Sequence, residues 1–139
     1  MKLLAAVLAA LALVTGAQAE RPPALKVGSS SYGKVLFDGR GFVLYAFTRD
    51  KGKSACYGAC AKAWPPYFAP KGTLSVGAGL KRSLLGTVTR RNGKRQVTYA
   101  GKPLYYYVGD TRAGQILCQD VVEYGGRWLI VRPSGKLVR

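Results

Sequence analysis

Cys56, Cys60 and Cys118 are the side chains of this sequence best equipped for chemistry, and three cysteines leave one unpaired within a monomer. Three pairings are open. Cys56 and Cys60 in regular helix would hold their Cα atoms roughly 6 Å apart, near the upper part of the disulfide range. Gly58 between them eases the distortion. A bond from Cys118 to either partner would close a loop of about sixty residues and stabilise by ~4 kcal/mol in the chain-entropy picture. A strained short-loop disulfide is also the more readily reduced kind, with Cys118 as a resolving thiol. Thioredoxin-like chemistry, however, uses C-x-x-C in a βαβ setting, and neither occurs here. A structural staple is the simpler reading. Three thiolates without an imidazole make a poor metal site, so no metal is expected.

The other chemical residue types are sparse. Histidine is absent, and Met1 is the single methionine. A catalytic triad, a zinc hydrolase centre, a haem attachment motif and a His/Met copper site all lack their side chains. Asp38, Asp50, Asp110, Asp120 and Glu123 mostly occupy turn contexts. The composition therefore points away from an enzyme and from any cofactor.

The second pattern is a repeat. "LYAFTRDKGKSAC" at 44–56 is echoed by "LYYYVGDTRAGQILC" at 104–118, with two residues inserted. Tyr45, Phe47 and Asp50 correspond to Tyr105, Tyr107 and Asp110, and Cys56 to Cys118. Alternation puts Tyr45 and Phe47 on one face of a strand, and Tyr105 and Tyr107 on another. Each Asp ends its strand, where a carboxylate accepts turn N–H groups. Aromatic residues filling a core are the plain consequence, and a ligand groove shared by the two halves is the sharper one.

Positioning elements follow from local signals. Residues 1–19 carry Lys2, an apolar run from Leu3 to Val14 and the small residues "AQA", and read as a cleaved signal peptide ending at Ala19. The run is shorter than the ~20 residues a spanning helix needs, so no transmembrane segment is expected in the mature protein. Residues 20–32, "ERPPALKVGSSSY", read as an extended lead-in, and 33–139 as a single β-rich domain. Within it, a repeat unit over 33–70 and a second over 87–135 flank a Gly-rich connector at 71–86. "DGRG" separates two apolar runs as a hairpin turn. Asn92-Gly93 predicts a type I′ turn, which places Arg91 opposite Lys94 and Arg90 opposite Arg95. "SACYGACAKAW" predicts a short helix with Ser54 as N-cap, stopped by Pro65-Pro66. The fold class is mainly β: one small domain of two pseudo-repeats, built of antiparallel strands and hairpins with one short Cys-containing helix.

Charge supplies the last clue. Lysine and arginine total 22 against six acids, a formal +16. A basic balance of this size fits an acidic envelope component or an acidic protein as partner. "RRNGKR" gathers Arg90, Arg91, Lys94 and Arg95 into a candidate anion-binding knob. No RNA- or DNA-binding motif accompanies it, so no specific nucleic acid is expected.

These motifs together resemble the secreted repeat family of predicted bacterial lipoproteins marked by Yx(FWY)xxD. "YAFTRD" and "YYYVGD" both fit that pattern. "SACYGACAKAWPP", with Trp64, is similar to the family's cysteine segment, and "GGRWLIVRPSG", with Trp128, to its closing strand. The likeness covers roughly residues 33–135. It implies an exported protein of tandem units, and it implies a Cys56–Cys60 disulfide with Cys118 free or an alternative partner. Two departures stand out: no lipobox cysteine, which implies a soluble rather than an anchored form, and the additional Cys118. The expectation is a non-catalytic periplasmic or secreted protein that binds an acidic partner through a basic, aromatic surface. The alternative is a redox-linked periplasmic protein that uses Cys56, Cys60 and Cys118.

Overall fold

A computed structural model describes residues 12, 13, 16 and 21–139. The expected cleavage point after Ala19, and the leader apart from those three positions, lie outside the described residues. The chain is mainly β, as its sequence indicates. Strands β1 (Leu25–Ser30) and β2 (Gly33–Asp38) form an antiparallel hairpin. Strand β3 (Tyr45–Phe47) follows, then helix α1 (Ala59–Ala63) and a single 3-10 turn at Arg82–Leu84. Strands β4 (Leu85–Thr89), β5 (Arg95–Tyr99) and β6 (Lys102–Pro103) make the second antiparallel sheet. Strands β7 (Val121–Glu123) and β8 (Gly126–Ile130) complete a third, in the order β3-β8-β7.

The repeat is a repeat of structure. Hairpin β1–β2 corresponds to β4–β5, and each continues into an aromatic strand that starts at Tyr45 or Tyr105. In one half the N–H of Leu44 donates to Leu36 O, and that of Leu36 to Val131 O. In the other, Leu104 N–H donates to Val97 O, and Val97 N–H to Tyr67 O. The two sets match position by position, and they reveal an exchange. The strand that closes the first half is β8, which comes from the second repeat: Phe47 pairs with Trp128 and Tyr45 with Ile130. The segment that closes the second half comes from the first repeat: Tyr106 N–H donates to Pro65 O, and Val108 N–H to Ala63 O. Each half thus borrows its final strand from the other. An unpaired strand edge leaves backbone donors and acceptors unsatisfied, so neither half is complete alone.

Four local expectations need correction. Residues 20–32 are more than a lead-in, because β1 lies inside them. Its signal is masked by "VGSS": Gly28 is there because a Cβ would sit 2.4 Å from the Phe37 ring. Likewise β4 starts at Leu85, within the stretch read as connector. The Asn92-Gly93 turn is not type I′, since Asn92 keeps a negative φ while Gly93 has φ +80°. Gly93 N–H donates to Arg90 O and Arg90 N–H to Lys94 O, which makes a one-residue-longer loop and pairs Thr89, not Arg90, with Arg95. Two-residue turns with both φ positive do occur, at Ala100-Gly101 and Tyr124-Gly125. Finally, α1 starts only at Ala59 with Gly58 as its N-cap, and Ser54 instead donates its hydroxyl to Gln96 Oε1.

Candidate functional site

The centre of the molecule is the junction of the two repeats. Tyr45 N–H donates to Tyr105 O and Tyr105 N–H to Tyr45 O, both at 2.9 Å, across a local twofold-like axis. The side chains repeat the exchange. The Tyr45 hydroxyl donates to Asp110 Oδ2 at 2.7 Å, and the Tyr105 hydroxyl to Asp50 Oδ2 at 2.8 Å. The second oxygen of each carboxylate holds its own loop: Asp50 Oδ1 accepts from Ala55 N at 2.7 Å, and Asp110 Oδ1 from Leu117 N at 2.9 Å. Ala55 and Leu117 directly precede Cys56 and Cys118, so the correspondence seen in the sequence holds in space. The motif Tyr and Asp therefore do not pair within one repeat but lock each repeat to the other.

Burial governs how these groups ionise. It pushes both tyrosines well above the ordinary phenol range, and the hydrogen bonds to Asp110 and Asp50 push the same way. Burial also raises Asp50 and Asp110, and this outweighs the lowering by the hydrogen bonds they accept. Around them stand the remaining motif aromatics. Trp64 and Trp128 stack at 4.0 Å, and Phe47 stacks on Trp128 at 4.1 Å. Tyr107 tilts against Trp64 at 4.9 Å. Tyr45 meets Trp64 edge-on at 5.2 Å, and Tyr105 meets Trp128 the same way at 5.1 Å. Tyr45, Tyr105, Trp64 and Trp128 are fully buried. The stack fills the space between the halves where a shared ligand groove would lie.

Cys56 and Cys60 form a disulfide with a Cα separation of 5.2 Å. Cys60 lies in α1 and Cys56 before it, so the bond ties the loop to the helix and does not strain a continuous helix. Both sulfurs belong to the same core as Trp64 and Phe47. Cys118 is a free thiol, half-buried against that core. Burial pushes its pKa up, although the Tyr107 hydroxyl beside it lowers it. A resolving thiol needs thiolate character and access, so this geometry suits a staple better than a redox couple. Among the described residues no group of three or more Cys, Asp, Glu or His side chains is arranged to hold a metal ion.

The basic hairpin divides in two. Arg90 is not part of an exposed knob: the longer loop turns it inward, to 5% exposure. It donates to Gln96 Oε1 at 2.9 Å and to Cys56 O at 2.6 Å, and stacks on Tyr57 at 4.3 Å. Arg90 thereby anchors the hairpin to the disulfide loop. Arg91, Lys94 and Arg95 remain exposed. Arg91 lies 4.3 Å from the Tyr57 ring centre and Lys94 5.1 Å from that of Phe68, itself 41% exposed. Phe68, Lys71, Lys94 and Arg95 line a shallow concavity of about 450 Å³.

No carboxylate competes there. Asp38 is paired with Arg40 at 3.0 Å, and Asp120 with Arg127. Asp50 and Asp110 are held by tyrosines, and Glu123 accepts from Trp64 Nε1 at 2.9 Å. Every acidic side chain among the described residues thus has an internal partner. The exposed charge is left overwhelmingly positive.

A two-repeat β domain with exchanged closing strands, a buried Tyr–Asp lock and a disulfide staple defines a class of small exported module. The family model described as a secreted repeat of unknown function matches residues 26–67 and 86–132, and the chain belongs to that family. Its two matches begin within β1 and β4, the corresponding first strands of the two halves. No curated protein and no solved structure matches the chain. Among the described residues no helix is long and apolar enough to cross a membrane.

Proposed function

We propose that this exported protein is a non-catalytic envelope component, periplasmic or secreted after loss of residues 1–19, that binds an acidic polymer through the tip of the β4–β5 hairpin. One observation carries the reading: Arg91 lies beside Tyr57 and Lys94 beside Phe68, with the exposed Arg95, hydrogen-bonded to Thr87 Oγ1, lining the same concavity as Phe68, while every described carboxylate is engaged elsewhere. Guanidinium and ammonium groups next to aromatic faces offer charge together with an apolar platform. The aromatic lock and disulfide then serve to hold that tip rigid, through Arg90 and its contact with Cys56 O.

The test is the triple variant Arg91→Gln, Lys94→Gln, Arg95→Gln, leaving the structural Arg90 in place. Affinity for heparin, as a generic polyanion, is measured against salt concentration, with thermal melting as the folding control. Affinity should fall, and the slope of log affinity on log salt should become shallower by about two to three, by analogy with counterion release from nucleic acids. Unchanged affinity and slope would reduce the tip to a solvated turn and spread the charge over the whole surface. Intact mass of the exported protein tests the leader: a chain starting at Glu20 is expected, and one starting near Met1 would contradict it.

A further inference from the structure

A cleft of about 500 Å³ adjoins the hairpin-tip concavity, with Phe68, Pro70 and Lys71 common to both, and the polymer-binding reading does not use the rest of it. Three distant segments build it: residues 21–24, the Asp38–Arg40 turn, and 66–75, with Tyr106 at its back. The volume falls in the range of small-molecule sites. Its walls are largely apolar, formed by Tyr67, Tyr106, Leu74 and several prolines, and the two tyrosine rings meet edge to face at 5.3 Å.

The buried polar groups in the cleft are already engaged, while the hydroxyls of Thr73 and Ser75 stand exposed on its wall. The Tyr67 hydroxyl donates to Ala24 O at 2.7 Å, and the Tyr106 hydroxyl to Asp38 Oδ2 at 2.7 Å. Asp38, 2% exposed, is saturated: Oδ1 accepts from the Arg40 and Phe42 N–H groups, both at 2.9 Å. Oδ2 accepts from Arg40 Nε at 3.1 Å and faces its terminal nitrogen at 3.0 Å. A sugar, whose hydroxyls each need a partner, would find none free among these buried groups and only Thr73 and Ser75 at the exposed wall. Arg40 supplies charge at a fixed position. Its guanidinium is pinned by Asp38 and lies 4.7 Å from the Phe42 ring centre, yet its side chain is 67% exposed. It therefore presents free donors at a fixed angle, and pre-orientation reduces the ordering cost of binding an anion. Arg21 and Lys71 add positive charge at the rim, and the Arg21 guanidinium is itself fixed to Lys71 O at 2.9 Å.

We propose that this cleft binds a small, freely diffusing amphiphilic carboxylate, with its ring-sized or short acyl body against Tyr67, Tyr106 and Leu74 and its carboxylate on Arg40. Both halves of that description are required. An apolar body alone leaves the guanidinium donors that Asp38 does not engage without a protein or ligand acceptor, and a bare anion leaves the aromatic wall wet.

Octanoate is the probe, compared with octanol and acetate by calorimetry on the intact protein. Octanoate should bind at least tenfold more tightly than either control. Arg40→Gln should weaken it about tenfold, as expected for a charge-assisted contact. Thr73→Trp, at an exposed position on the cleft wall, should block binding without touching the core. The hairpin-tip triple variant should bind octanoate as the parent does, so the two sites can fail separately. Equal binding of octanol and octanoate, equal binding of acetate and octanoate, or full retention in both Arg40→Gln and Thr73→Trp would overturn the proposal. Melting temperatures of the variants, expected within a few degrees of the parent, identify any that fail to fold. Binding lost only in such a variant would also count against the site.

Discussion

Alkaline pH should unfold this protein cooperatively, because its central lock is made of phenols that cannot ionise in place. In the unfolded chain a tyrosine loses its proton near pH 10. In the fold, burial and the hydrogen bonds to Asp110 and Asp50 hold Tyr45 and Tyr105 far above that. Tyr67, buried, is pushed up to about 12. A folded-state pKa above the unfolded value gives stability that is fully present below pH ~10 and is lost as pH rises through the folded value. Each such tyrosine removes about 1.4 kcal/mol of stability per pH unit above 10. Three of them remove roughly 6 kcal/mol by pH 11.5, comparable with the whole stability of a marginal small domain. Near-ultraviolet circular dichroism should therefore be lost in one transition between about pH 11 and 12, together with the share of tyrosinate absorbance that the buried tyrosines contribute; exposed Tyr32 and Tyr124 lie outside that share. Tyr45→Phe should reduce the pH slope of stability by about 1.4 kcal/mol per unit, one proton's worth. Tyrosinate formation that Tyr45→Phe and Tyr105→Phe show to include the buried pair near pH 10, with the tertiary signal intact, would show that the buried Tyr–Asp exchange is not the lock described.

Other consequences can be checked separately. Under denaturing, non-reducing conditions a single thiol should titrate, and Cys56→Ser with Cys60→Ser should cost about 2 kcal/mol, the chain-entropy value for so short a loop; no titratable thiol, or a cost near zero, would reject the staple. Because the closing strands are exchanged, fragments 21–80 and 81–139 should each be unfolded alone by circular dichroism and should regain structure when mixed; a stably folded single fragment would contradict the exchange. Burial raises Asp50 and Asp110, so their contribution is present below the unfolded carboxylate range and is lost as pH rises through their folded values. Asp110→Asn should accordingly flatten the melting temperature against pH between about 4 and 7, and an unchanged profile would show that Asp110 titrates like an exposed carboxylate.

Much of this architecture was legible because a motif that occurs twice constrains itself. Tyr45/Tyr105 and Asp50/Asp110 announced two related halves, and their alternation put the aromatics on common faces. The partners were not legible. Nothing local in "WPPY" or "RWLI" says that each strand pairs across to the other repeat, since pairing is decided by which edge is left open once both halves exist. The strand over Leu25–Ser30 was hidden by its glycine and serines; Gly28 is required by the Phe37 ring that covers it. Arg90 was misread through a single residue of hairpin register. One extra loop residue reverses which side a strand-end side chain faces, and a cation expected in solvent became a buried anchor. The cleft was beyond sequence reasoning altogether, because segments some fifty residues apart, such as Arg21 and Lys71, meet to form it.

The binding claim is tested most directly by locating where a polyanion touches the protein. Isotope-labelled protein titrated with a short heparin oligosaccharide, followed by amide and side-chain nuclear magnetic resonance shifts, gives that location. The account predicts saturable shifts concentrated at Tyr57, Phe68, Lys71, Arg91, Lys94 and Arg95, and quiet signals on β7 and β8. Shifts spread evenly over the basic surface, or centred away from the hairpin tip, would contradict it.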